Sequence, residues 1–208
     1  MGSLIITSTK PNDDFFCAKS WLKFGADVRN MSVKDGSKVR IKTMLEYASQ
    51  SEDDVIGIFN SDIFLVPDEA HLRLWDSVIE VAKHEFVYLN RCDMPECKME
   101  KYGHDAFLFP KYLAGFIVPN TPLEFKMGEP FWDNWLPYEV WKTTNLAMCC
   151  VNRPLIYHTS HRKLWSNDAW RAMAKVYQDK DEEFQTGHDL ISMTMAMSIR
   201  YKQKTLLL

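Results

Sequence analysis

Three short segments place acids or imidazoles where the chain changes from apolar to polar. Val55-Ile56-Gly57-Ile58-Phe59 is a compact apolar run that stops abruptly at Asn60-Ser61-Asp62. A polar triplet at the end of a buried strand is either a plain turn or a ligand site for a hard cation. A cation already carried by a diphosphate needs only one or two protein carboxylates, because phosphate oxygens and water complete its shell. Trp132-Asp133-Asn134-Trp135 sets an acid between two indoles at the start of a helical pattern. There it acts as a helix cap or, partly desolvated by the rings, as a strengthened base. Ile156-Tyr157-His158-Thr159-Ser160-His161 is another apolar run ending in polar residues. Two histidines three apart on a helix form a zinc pair, but the strand-like run before them argues against that geometry, and a lone histidine here more often serves packing.

Such residues need a scaffold that gathers them. Residues 4–8, 27–33, 55–59, 85–90, 106–109 and 155–158 read as strands from their apolar and β-branched runs. Residues 15–24, 37–49 with Ser37 as N-cap, a segment opening at Pro67-Asp68-Glu69, 132–142 and 167 onward read as helices, and Gly187 separates a last one over about 189–202. Residues 91–103 read as a loop and 110–122 as irregular. Strands alternating with helices imply a largely parallel, three-layer α/β sheet, which binds ligands outside the carboxyl ends of its strands.

Composition narrows the function. A chain of 208 residues is sized for one domain with a modest appendage. A net charge of −3 gives no sequence-wide basic footprint, which argues against a dedicated non-specific nucleic-acid binder and leaves room for a local basic groove. The chain has neither an apolar run near the roughly 20 residues that span a bilayer nor a signal-peptide layout at its start, so it reads as cytoplasmic. Five cysteines without a Cys-x-x-Cys pair read as reduced thiols. Seven tryptophans raise the prospect of a sugar site slightly, since indole faces stack on C–H groups.

The string IFNSDIFLVPD (residues 58–68) resembles the Asn-Ser-Asp form of the Asp-x-Asp motif in GT-A nucleotide-diphospho-sugar transferases. NRCDM (90–94), GHDAFLFPK (103–111) and MGEPFWDNWLPYE (127–139) look like successive blocks of a group of small GT-A-like proteins, in the same order. The resemblance covers roughly residues 1–161, and Trp-Asp-Asn-Trp is its most specific part. It implies a GT-A three-layer sandwich with a mostly parallel mixed sheet as a catalytic domain over 1–161, and a helical C-terminal extension over 162–208 packed on it.

By that resemblance, Asn60, Ser61 and Asp62 meet the donor diphosphate, and Asp62 holds the cation together with His158, or His161 in reserve. An imidazole ligand favours Mn²⁺ over Mg²⁺. Thr7, Ser8 and Thr9 after the first strand, and Arg40, are placed at the nucleotide. Arg91, Asp93 and Asp105 fall around the sugar or acceptor pocket, with Trp132 and Trp135 beside it. Asp133 is the general base of an inverting transfer from a nucleoside-diphosphate sugar to an acceptor hydroxyl, on a saccharide, protein, metabolite or modified nucleic-acid base. One departure stands out: Gly128-Glu129-Pro130 replaces the group's Gly-Arg-Pro, an anion where a phosphate-pairing cation is usual. Glu129 then contacts hydroxyls or is itself the base. Two other classes use a similar sheet. A sugar-phosphate nucleotidyltransferase normally needs a Gly-rich basic loop after the first strand, whereas residues 8–14 hold no Gly and one Lys. A non-catalytic nucleotide- or sugar-binding module is the other.

Overall fold

Short runs rich in Ile, Val and Leu make the central strands, because such side chains fill both faces of a covered parallel sheet. In the computed structural model, which describes residues 2–8, 16–33, 35–159, 166–180 and 203–206, β1 (Ser3–Thr7) lies parallel to β3 (Val55–Phe59), Ile5 opposite Gly57. β2 (Asp27–Asn30) flanks β1 in parallel. Beyond β3 comes β6 (Lys98–Pro110), antiparallel, then β5 (Phe86–Met94), antiparallel to β6 and parallel to β7 (Met148–Thr159). The start of β7 carries β8 (Gln203–Leu206) in parallel, and its end carries β4 (Ile63–Leu65) antiparallel. Four parallel pairings against three antiparallel ones make the mixed, mostly parallel sheet the sequence implies.

The strand order β2-β1-β3-β6-β5-β7-β4 constrains the shape. Four sheet spacings separate β3 from β4, about 19 Å if the sheet were flat. Yet only Asn60, Ser61 and Asp62 join them, and the four steps from Phe59 to Ile63 reach about 14 Å at most. The sheet therefore curls, and the far halves of β5, β6 and β7 fold over the end of β3. Register shifts around Asn90, between Leu89 and Cys92, sit where that bend is needed, as bulges do.

Two apolar clusters cover the faces. On one side Ile41, Met44, Leu45 and Ala48 of α2 (Ile41–Ser49), Leu113, Ala114 and Ile117 of α4 (Lys111–Ile117), and Trp132, Trp135 and Leu136 of α5 (Trp132–Thr143) meet Ile6, Ile58, Phe86 and Phe107. On the other, Ala18 and Trp21 of α1 (Phe16–Leu22) and Trp75, Val78 and Ala82 of α3 (Glu69–Ala82) meet Ile5, Val55, Phe59 and Leu108. The α3 start is capped as its sequence suggests, Asp68 accepting from the His71 N–H at 2.9 Å with Glu69 in the first turn. Helix α6 (Asn167–Lys180) adds Ala174 to the first cluster. No helix among the described residues is long and apolar enough to cross a membrane.

Several expectations change. Helix α2 begins at Ile41 with Arg40 as N-cap, not at Ser37, because Val39 and Ile41 pair their backbone with Met127 and Phe125. The expected loop over 91–103 is instead a hairpin: β5 runs to Met94, β6 starts at Lys98, and Asp93 lies opposite Lys98. Its turn is closed by a disulfide between Cys92 and Cys97, which corrects the reading of all five cysteines as reduced thiols. Spacing alone did not mark this pair, because the strand pairing brings it together. Residues 110–122 are largely helical, in α4 and a 3₁₀ turn over Val118–Asn120, since Pro110 suits a helix start and Leu113, Ala114 and Ile117 share a buried face. Strand β4, three residues long, was too short to read. The helix expected over 189–202 lies outside the described residues, and 203–206, expected in a helical extension, form β8 instead, because the edge of β7 offers its backbone a partner.

Gly57 sits where the sheet leaves little room for a side chain. A Cβ there meets Leu108 Cδ2 at 3.1 Å and both Ile5 Cγ1 and Phe59 Cε1 at 3.2 Å. Gly57→Ala is expected to destabilise the fold by about 1–3 kcal/mol through overpacking. Urea denaturation measures this, and an unchanged midpoint means that the neighbours give way freely.

Candidate active site

The segments that end at Asp62 and His158 meet at the curl. Asn60 follows β3 and is pinned to β6 twice: its N–H donates to the Asp105 carbonyl at 2.8 Å, and its side-chain amide donates to Asp105 Oδ1. The turn delivers Ile63 opposite His158, which brings Asp62 Oδ2 to 3.5 Å from His158 Nε2. Parallel pairing sets Asp93 opposite His158 from the other side, with Asp93 Oδ1 at 2.9 Å from Nδ1. Arg91 joins the rest, its Nε 3.0 Å from Asp93 Oδ1 and its Nη1 2.6 Å from Asp105 Oδ2. Asp62, His158, Asp93, Arg91, Asp105 and Asn60 thus form one continuous polar chain.

Asp133 approaches from α5. The turn leading into that helix holds Gly128 at φ +71° and Phe131 at φ +72°, a left-handed conformation that is uncommon for a bulky residue. The tight turn is fixed by packing: Phe131 lies against Trp170 of α6, and Trp132 stands edge-on to Phe107. Asp133, at the second helical position, is left partly buried and within electrostatic reach of Asp105 and Arg91. Pro137, one turn on, has no N–H for the Asp133 carbonyl.

The electrostatics follow from this packing. Burial, then the charge of Asp105, pushes the Asp133 carboxyl up to about 7, against backbone N–H groups and Arg91, which favour its charged form. Asp105, 4% exposed, is raised by burial and further by Asp62, and held back by Arg91 and Asn60. The His158 imidazolium is favoured by Asp62 first and then Asp93, against the cost of burial. Two acids with raised proton affinity beside one cationic residue are an arrangement that active sites recurrently build.

Other residues singled out in the sequence stand apart from this chain. Glu129 pairs with Lys38 at 2.9 Å, and Lys38 also donates to the Gly128 carbonyl, 90 positions away; nothing in the sequence links these segments. Thr7 is fully buried and donates to the Phe59 carbonyl at 2.8 Å, tying β1 to β3, while Ser8 is partly buried and Arg40 exposed. Trp132 and Trp135 are buried, so these indoles set the position of Asp133 and turn no ring face outward. Thr9 and His161 lie outside the described residues. The Asp93–His158 contact was not legible, because it depends on the β5–β7 register.

Among the described residues, no group of three or more His, Cys, Asp or Glu side chains forms a self-sufficient metal site. Asp62 and His158 offer two donors. Asp62 keeps 41% of its side chain open, so a ligand's own oxygens have access. The Asp93 contact at Nδ1 turns Nε2 toward Asp62, the carboxylate–histidine arrangement that orients imidazole ligands. This donor set fits a cation that arrives with a diphosphate.

No protein-family model and no curated protein sequence matches the chain. Its fold resembles TarS 1–349 of S. aureus, at a TM-score of 0.56 with 10% identity, covering 84% of this chain and 64% of that one. The same protein in complex with UDP-GlcNAc superposes at 0.54 with 8% identity, over 85% and 65%. A glycosyltransferase involved in glycosylation of the major capsid of PBCV-1 aligns at 0.47 with 10% identity, over 83% and 99%. The chain spans just under two thirds of TarS 1–349. At these identities the likeness is one of fold, and the fold is GT-A-like.

Proposed function

We propose that this protein is a cation-dependent glycosyltransferase that moves a sugar from a nucleoside-diphosphate sugar to an acceptor hydroxyl with inversion. The observation that carries the reading is the single polar chain from Asp62 and His158 through Asp93 and Arg91 to Asp105, with Asp133 alongside. The solved complexes of TarS with UDP-GlcNAc and UDP make a uridine nucleotide the first donor to test.

In this reading Asp62 and His158 hold Mn²⁺ or Mg²⁺, which when bound neutralises charge on the leaving diphosphate. Asp133 accepts the proton of the acceptor hydroxyl as its oxygen attacks the anomeric carbon. The bond from that carbon to the diphosphate oxygen breaks, its electron pair leaves with the nucleotide, and the proton rests on Asp133. A base whose proton affinity lies near neutrality is matched to that task. Asp133 is preferred to Glu129, whose side chain is engaged with Lys38 instead of the polar chain. In this reading residues 1–161 are the catalytic unit, and the extension from 162 packs on it through α6 and joins its sheet through β8.

A donor screen with Mn²⁺, reading released nucleotide by mass spectrometry, tests the reading. Release of nucleoside diphosphate from one donor class is expected. Formation of pyrophosphate from a nucleoside triphosphate and a sugar phosphate instead reassigns the protein as a nucleotidyltransferase. Cation-dependent binding with no release from any donor makes it a binding module.

A further inference from the structure

A half-buried arginine among candidate site residues is usually read as an anion ligand, but two nitrogens of Arg91 lie against carboxylates of the protein. Nε faces Asp93 on its own strand, and Nη1 faces Asp105 on β6. Strict alternation would give Arg91 the face of Leu89, which packs against the α1 and α3 side of the sheet. The register shift between Leu89 and Arg91 frees the side chain from that pattern, so it reaches Asp105.

Each carboxylate has a second duty. Asp93 contacts Nδ1 of His158, whose Nε2 faces Asp62. Asp105 receives the Asn60 amide and acts on the charge of Asp133. Two buried or half-buried acids on separate strands repel each other unless a cation lies between them. A planar guanidinium reaches both through different nitrogens, whereas an ammonium is a single point of charge.

We propose that Arg91 is a positioning residue that locks the cation-holding half of the site, Asp62 and His158, to the acceptor half, Asp105 and Asp133. It does so without being a donor ligand. This rests on the glycosyltransferase reading for its kinetic consequence, but not for its structural one.

Two measurements test it. In the first, Arg91→Met is expected to lower kcat about 100-fold, the scale at which small misplacements and lost second-shell contacts act. Calorimetry with UDP should show affinity without Mn²⁺ unchanged within about threefold, and the gain on adding Mn²⁺ reduced about tenfold. Arg91→Lys should fall between Arg91→Met and wild type. A donor contact predicts something else: UDP affinity falling by the same factor with and without Mn²⁺, and that result overturns the proposal. The second is a urea-denaturation cycle of Arg91→Met, Asp105→Asn and the double variant, which reads the lock whether or not transfer is ever found. A coupling of at least about fivefold in the unfolding constant is expected for groups in direct contact, and additive effects rule the lock out.

Discussion

Asp133→Asn is expected to reduce transfer by about 10²–10⁴-fold, the range contributed by a positioned base, while nucleotide binding stays near wild type. The amide keeps the shape of the side chain but cannot take the acceptor proton. The wild-type pH profile carries the same information. Burial and Asp105 raise the Asp133 carboxyl to about 7, so the active, deprotonated form grows with pH and levels off above neutrality. Activity should therefore fall about tenfold per unit below pH 6 on this limb, and the residual rate of Asp133→Asn should lack that limb. Full turnover by the variant, or a wild-type rate independent of pH between 5 and 8, removes Asp133 as the base. Stability gives an activity-free check. A carboxyl whose folded proton affinity is raised contributes stability below its unfolded pKa and loses it as pH rises through about 7. Asp133→Asn should therefore be more stable than wild type at pH 8, and the advantage should shrink toward pH 5.

The legible parts of this molecule are those where local chemistry decides. Buried strands announce themselves by apolar runs, and β1 and β3 fall where the sequence sets them. Helix α3 is written in its Pro67-Asp68-Glu69 start and its Trp75, Val78 and Ala82 stripe. Helix α5 is legible despite Pro137, since Trp135, Leu136 and Val140 recur at helical spacing. What escapes is whatever the register decides. Strand β4 is three residues long and is held to β7 by pairing with residues more than 90 positions away. The hairpin from Arg91 to Gly103 is polar and aperiodic because its strands lie at the bend, so only the ladder and the Cys92–Cys97 link reveal it. The same holds at the site. That Asp62 and His158 end apolar runs is a sequence fact; that Asp93 and Arg91 complete the connection to Asp105 is a consequence of two strand pairings and a bulge. The tryptophans around Asp133 show how composition and burial differ as guides. Their number suggested ring faces for a sugar, but an indole at the base of a helix with a sheet beneath it gains more by burial.

Asp62→Ala should abolish the cation's contribution to nucleotide binding, weakening UDP in Mn²⁺ by about 100-fold or more, because losses in the second shell alone cost about 10–100-fold. The size follows from the small donor set. If the proposed ligands are Asp62 and His158, whose side-chain atoms stand 3.5 Å apart, removing the carboxylate leaves a single imidazole, which holds a hard cation poorly. The remaining contacts do not compensate, since Asp93 is engaged with His158 and Arg91. Calorimetry of UDP with and without Mn²⁺ should thus show a large gap in wild type and almost none in Asp62→Ala. His158→Ala should give an intermediate gap, because the carboxylate carries most of the charge. Asp93→Asn should retain part of it, since an amide still accepts from Nδ1–H but no longer favours that proton as a carboxylate does. That ordering, Asp62 before His158 before Asp93, is what a cation shared between the protein and a diphosphate requires. If Asp62→Ala binds UDP as wild type does and still responds fully to Mn²⁺, the turn after β3 is a turn and nothing more.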